Sequence, residues 1–217
     1  MTTETDAARH GTGDADLTIM VAAHDAFRRD LVRLARAAAF ADLPDPARRA
    51  AVQAGWETFK RQLHLHHTAE DAIIWPTLRT RLTRSVHGLS VLDAMEAEHS
   101  LVDPLLAAVD EAFAHPDDGR IGDTADALTS VLLQHLTHEE HDALPLIGAT
   151  LTASEWRSAG FAMARRNGLS AGGEMFAWIN DDADPDKAAA VMATLPPPVR
   201  LMYRTFWRPR YGRVPRW

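Results

Sequence analysis

The chain has 217 residues, 46% of them hydrophobic, with sparse aromatics and a formal net charge of −7. It has no Cys, which excludes disulfides, thiolate metal sites, iron–sulfur clusters and thiol nucleophiles. The acidity argues against general nucleic-acid binding, and no apolar run approaches the ~18–20 residues that cross a bilayer. A cytoplasmic protein of one or at most two domains, with a substantial core, is expected.

Residues 1–16 are polar, acidic and Gly/Thr-rich, with no segment that could serve as a signal peptide, and read as a disordered leader. From Leu17 to Phe40, the residues Leu17, Met20, Val21, His24, Phe27, Leu31 and Leu34 recur at helical steps. Asp42 to Pro46 breaks this first helix. Asp45 followed by Pro46 is an N-cap and first-turn proline for a second, which carries Trp56, Phe59, Leu63, His66, Glu70 and Ile73 toward Pro76. Gly88 and Ser90 open a third, with Leu92, Met95, His99, Val102, Leu106 and Val109 on one stripe. Asp103-Pro104 is expected to kink or restart it. After His115 to Gly119, Asp123 is placed to cap a fourth helix bearing Leu128, Val131, Leu132, His135 and Glu139 toward Pro145.

Four amphipathic segments joined by short Pro/Gly/Asp loops predict an all-α, up-down-up-down four-helix bundle over residues 17–150. Residues 151–217 form a C-terminal helical extension. Thr152 to Glu155 is a capping box for a fifth helix that stops near Asn167-Gly168, and a short helix follows from Asp186 to Leu195. Pro196 to Pro198 leads into an Arg/aromatic tail, in which residues 200–217 hold six Arg and no acid.

The second and fourth helices carry the same device. His66 precedes Glu70 by four residues and Pro76 follows six later; His135, Glu139 and Pro145 repeat the spacing. Four-residue spacing stacks His over Glu on one helix face, and in both cases that face is the apolar one. The first and third helices each add a single His to their stripes, His24 and His99. Taken singly, a His on an apolar stripe reads as a satisfied core residue and one such pair as a surface pair. In conjunction, four imidazoles and two carboxylates turned to one interior zone need a common partner, since burying them uncompensated is costly. A pair of cations supplies it. Nitrogen and oxygen donors without sulfur fit Fe or Mn, with Zn as a substitute.

At these residues the chain resembles the hemerythrin-like (HHE cation-binding) family, a four-helix bundle around a non-heme di-iron site, over roughly residues 17–150. The resemblance implies two iron ions per chain held by His24, His66, Glu70, His99, His135 and Glu139, with both Glu bridging. The oxygen-carrying hemerythrins use five His and two carboxylates, with a His pair on the third helix and HxxxxD on the fourth. Here Met95 stands four residues before His99, where the second His of that pair is expected. Six ligands leave a more open centre, which a substrate, a hydroxide, Glu96 or Asp103 can fill; capping for Asp103 and solvation for Glu96 are the competing roles.

His67 and His138 sit beside the main ligands as groups to orient Glu70 or Glu139. Arg28 and Gln62 lie one turn from His24 and His66. His64 and His141 point away, and His10, His87 and His115 fall in loops or the leader. The tail is expected to pack on the acidic body, Met202, Phe206 and Trp207 docking while the Arg residues pair with Asp and Glu. An anionic partner or membrane surface is the alternative. The resulting expectation is a non-heme di-iron protein that binds or reacts with dioxygen, hydrogen peroxide or nitric oxide at an open di-iron centre, an oxidoreductase if it turns over. The alternative is a protein that binds or senses oxygen, nitric oxide or iron without turnover.

Overall fold

The computed structural model describes residues 14–38, 45–115 and 118–217, and every regular element among them is helical. The expected leader up to residue 13, the last two residues of the first predicted helix and the break at 41–44 lie outside the described residues. Helix α1 (Thr18–Ala38) begins where Asp16 accepts the Thr18 N–H at 3.0 Å. Helix α2 (Pro46–Ala69) has the expected start, Asp45 accepting the Ala47 N–H at 2.9 Å with Pro46 in the first turn.

α2 passes into a π turn (Glu70–Ile74) and then α3 (Trp75–Arg81). The fourth predicted segment behaves identically: α5 (Ile121–His138), a π turn (Glu139–Ala143), then α6 (Leu144–Thr150). In each π turn the closing N–H, of Trp75 or Leu144, reaches back five residues to the carbonyl of the Glu that opens it. A proline follows immediately, Pro76 or Pro145. Its ring would clash with the carbonyl four residues earlier in an ordinary α-turn, and the wider turn relieves that contact.

Helix α4 (Val86–Ala114) opens two residues before its expected start, because Ser85 accepts the Gly88 N–H at 3.0 Å. It runs through Pro104 as one helix rather than restarting there. Both Pro104 and Ser100, whose carbonyl loses its helical partner, are exposed residues. Asp123 is not the cap of α5, which starts after Arg120; its charge lies in the first turn, favourable to the helix dipole.

The capping box forms as expected: Thr152 Oγ1 accepts the Glu155 N–H at 3.3 Å, and Glu155 Oε2 accepts the Thr152 N–H at 3.0 Å. The fifth helix breaks at Gly168, as expected, and a second helical stretch follows, the two together making α7 (Ala153–Ile179). Gly168 takes φ 81° and ψ 162°, a break only glycine adopts freely, and the helix resumes to Ile179. Next come α8 (Pro185–Thr194), capped by Asp184, and α9 (Pro197–Met202), a third π turn (Tyr203–Trp207) and α10 (Arg208–Tyr211). The Arg/aromatic tail is therefore largely helical.

α1 packs against α2, α5, α7 and α8; α4 packs against α5, and α10 against α7. The apolar side chains divide into two main clusters. One gathers Phe27, Leu31, Trp56, Leu63, Val102, Leu132 and Leu136 with Trp178 of the extension. The other gathers Met20, Ile74, Trp75, Leu92, Met95, Ala143 and Ile147. Along α1, His24 falls between the two; so do Glu70 after α2, His99 in α4 and Glu139 after α5. A polar layer thus separates two apolar regions.

The tail packs through Trp207, as expected, but with Tyr203 in place of Met202 and Phe206. Tyr203 and Trp207 are buried, while Met202 and Phe206 are exposed. Among the described residues no arginine of 200–217 makes an ion pair with a carboxylate. Arg216 instead donates to Thr58 Oγ1 at 3.0 Å and to the carbonyls of Tyr211 and Val214.

Candidate metal centre

Two groups of donors face one another in the polar layer. His67, His99 and His135 form one; His24, His66, Glu70 and Glu139 form the other. Within each, the donor atoms lie within 4.8 Å of one another. All six residues singled out in the sequence meet here, and His67 joins them. Adjacent residues on a helix point about 100° apart. His66 accordingly turns toward α1, its ring 5.1 Å from His24 and 5.2 Å from Phe27. His67 turns toward α4 and α5, stacked on His99 at 3.9 Å and 5.3 Å from His135.

The two carboxylates join the groups. Glu70 Oε1 lies 3.2 Å from His66 Nε2, and its Oε2 lies 3.5 Å from His99 Nε2. Glu139 Oε2 lies 3.2 Å from His24 Nε2, 4.0 Å from His66 Nε2 and 3.9 Å from His135 Nε2. None of these approaches has the alignment of a hydrogen bond. The Nε2 atoms of His24, His66, His67, His99 and His135, and both oxygens of Glu70 and Glu139, are buried without a hydrogen-bond partner. Native interiors satisfy nearly all such atoms. Five imidazole nitrogens and four carboxylate oxygens converging unsatisfied fit a site built for cations.

The opposite ring nitrogens are held from outside. His24 Nδ1 donates to Glu140 at 2.8 Å, His99 Nδ1 to Asp71 at 2.8 Å, and His135 Nδ1 to Glu98 at 2.9 Å. An ionised carboxylate only accepts, so each contact places a proton on Nδ1 and turns Nε2 toward the cluster, where it offers a lone pair whenever that nitrogen is deprotonated. Two of these carboxylates, Asp71 and Glu140, immediately follow the inward Glu in their π turns. Arg28 anchors Glu140 through both guanidinium nitrogens, at 2.7 and 2.9 Å.

Electrostatics reflect the crowding. Burial lowers the His66 and His67 pKa values well below the usual imidazole range, and neighbouring rings lower them further. Burial also lowers His135, although Glu139 and Glu98 oppose it. Burial works against protonation of His24 too, but Glu139 and Glu140 outweigh it and lift the pKa to about 9. Glu70 is raised well above a normal carboxyl by burial and by Glu139. Burial pushes Glu139 upward as well, but His24 and His135 overcome it and hold the carboxyl down. The His24 hydrogen bond and Arg28 hold Glu140 at about 2.

Other candidates lie elsewhere. Glu96 pairs with Arg79 at 3.1 Å, and Asp103 is exposed. His138 bonds Glu98 and Asp142 rather than Glu139. Gln62 is buried with its Nε2 unpartnered. His64, His87, His115 and His141 are exposed, and His10 lies outside the described residues. Met95 packs in the apolar cluster of Trp75 and Leu92. The imidazole missing from α4 thus has a counterpart on α2, in His67. The available signals were the doublet His66-His67 and the acid following each inward Glu.

A family model described as Hemerythrin HHE cation binding domain matches residues 15–147. Neither the curated proteins nor the solved structures contain a match.

Proposed function

The chain belongs to the hemerythrin HHE cation-binding domain family, and from that premise we propose that it is a di-iron protein binding or reacting with a small oxidant: dioxygen, hydrogen peroxide or nitric oxide. In this reading α1, α2, α4 and α5 are the four helices of an up-down-up-down bundle over residues 17–150, and 151–217 is an extension. His67, His99 and His135 would hold one ion and His24 and His66 the other, with Glu70 and Glu139 as carboxylates available to both. The convergence of unsatisfied buried donors carries the reading. Bound iron would supply redox equivalents and exchangeable coordination positions.

The chain's own residues do the rest. Glu140, Asp71 and Glu98 fix ring orientation and tautomer for three imidazoles, so little rearrangement accompanies metal entry. Phe27 packs on His66 and is backed by Trp178 at 4.8 Å, which keeps water from that flank.

The test is metal analysis after purification with iron supplied, on the wild type and His67→Ala. Two irons per chain in the wild type, and a loss of about one in the variant, are expected. One metal or none in the wild type overturns the proposal; full loading of the variant removes His67 from the ligand set. Addition of peroxide or nitric oxide to the reduced protein then separates the two chemical readings. Sustained consumption marks an enzyme, and a stable stoichiometric adduct marks a binding or sensing protein.

A further inference from the structure

The charge along the chain changes character after Asp186. Residues 187–217 contain Lys187 and six Arg and no acid, in a protein whose net charge is −7. This segment docks by one face only. Trp207 lies over Gly173 and Trp217 over Gly55, each so close that a Cβ there would collide with the indole. The Trp217 N–H donates to the Ala51 carbonyl at 3.0 Å, and Arg216 stacks on Tyr211 at 3.7 Å. The docked rings hold the opposite face in a preformed shape.

That opposite face is apolar and cationic together. Leu201, Met202 and Phe206 are 63%, 42% and 55% exposed. Around them Arg204, Arg208, Arg210 and Arg213 are exposed, and none has an ion-pair partner among the described residues. An acidic protein that leaves these arginines unpaired beside bare aliphatic side chains presents a surface complementary to something anionic with an apolar interior.

We propose that the outer face of α9, the third π turn and α10 is a docking surface for an anionic lipid bilayer, with Leu201, Met202 and Phe206 entering the headgroup region while the arginines meet lipid phosphates. A bilayer suits this surface better than a nucleic acid. Leu201 and Met202 gain nothing from stacked bases, and Tyr203 and Trp207 are already buried against the body, which leaves Phe206 as the single exposed ring of this face. Among the described residues no helix is long and apolar enough to span a membrane, so the proposed contact is a peripheral one.

Sedimentation of the full chain with vesicles tests this. Binding is expected to vesicles of phosphatidylglycerol mixed with phosphatidylcholine, to weaken with added salt, and to be absent with phosphatidylcholine alone. Arg204→Glu with Arg210→Glu, and separately Met202→Ser with Phe206→Ser, should each reduce binding about tenfold or more. These positions are exposed, so melting temperatures should hold; Arg204→Gln with Arg210→Gln is the milder pair if charge reversal disturbs folding. No sedimentation with the anionic vesicles overturns the proposal, as does binding indifferent to both pairs of substitutions. Binding to duplex DNA at least as tight as to the vesicles, and lost in the arginine pair, assigns the surface to nucleic acid instead.

Discussion

His24 shows how the metal-free site stores protons that a cation must displace. With its pKa held at about 9 by Glu139 and Glu140 against the effect of burial, it is protonated at neutral pH. Glu70, raised by burial and by Glu139, leans the same way. Ligands coordinate in their deprotonated forms, so metal uptake must release protons and apparent affinity must rise with pH. The His24 contribution should fade above about 9, where the metal-free ring has already lost its proton. Anaerobic addition of Zn(II) in weak buffer with a pH indicator measures this. Uptake at pH 7 without proton release would mean that His24 is neutral before metal arrives. The two HxxxE pairs, with His24 and His99, were legible because all six residues lie on apolar stripes. His67 was not, since it lies 100° from His66 and falls off that stripe.

Among the elements, the π turns carry a shared signature. Glu70, Glu139 and Tyr203 each open one, and Pro76, Pro145 and Pro209 each stand six residues later. The proline offset was visible in the sequence, but the extra residue per turn follows from relieving the ring and shifts the buried side chain from Ile73 to Ile74. In α7 the doublet Gly172-Gly173 is helical, and Trp207 sits against the bare face of Gly173. This yields a paired prediction. Gly172 has open space around it, so Gly172→Ala should stabilise by up to about 1 kcal/mol through helix propensity. Gly173→Ala gains the same term but drives Trp207 from its seat, and should destabilise by about 1–3 kcal/mol. Urea denaturation of both variants checks it. Equal stabilisation by the two would mean that the tail is not seated on α7.

For the whole molecule, the donor layer lies between two apolar clusters, and the extension joins both, through Trp178 and Val191 in one and Leu151 and Trp156 in the other. Asp30, buried in α1, accepts from Trp178 Nε1 at 2.7 Å, from Arg29 at 2.8 Å and from Arg33 at 3.1 Å. Trp178 in turn backs Phe27, which packs on His66. Without metal, five imidazoles and two carboxylates face one another unsatisfied in this layer, so cation binding should contribute to the stability of the entire assembly. Chelation is expected to lower the melting temperature by roughly 5–10 °C, the shift corresponding to a ligand at about a hundred times its dissociation constant. Calorimetry of the loaded and stripped protein measures it, and coincident transitions would place the cation outside the core.

The sequence by itself determined that this protein is helical, where its main helices lie, and which His and Glu share a buried face. All of these follow from spacing along one chain segment, because a helix fixes the relative direction of its own side chains. Tertiary structure decided what spans segments: that His67 meets His99 and His135, that Asp71, Glu98 and Glu140 hold the outer nitrogens, and that Trp207 and Trp217 seat on glycines far away in the chain. Periodicity reports which side of a helix is buried, but only the packing of one helix on another determines what that side touches.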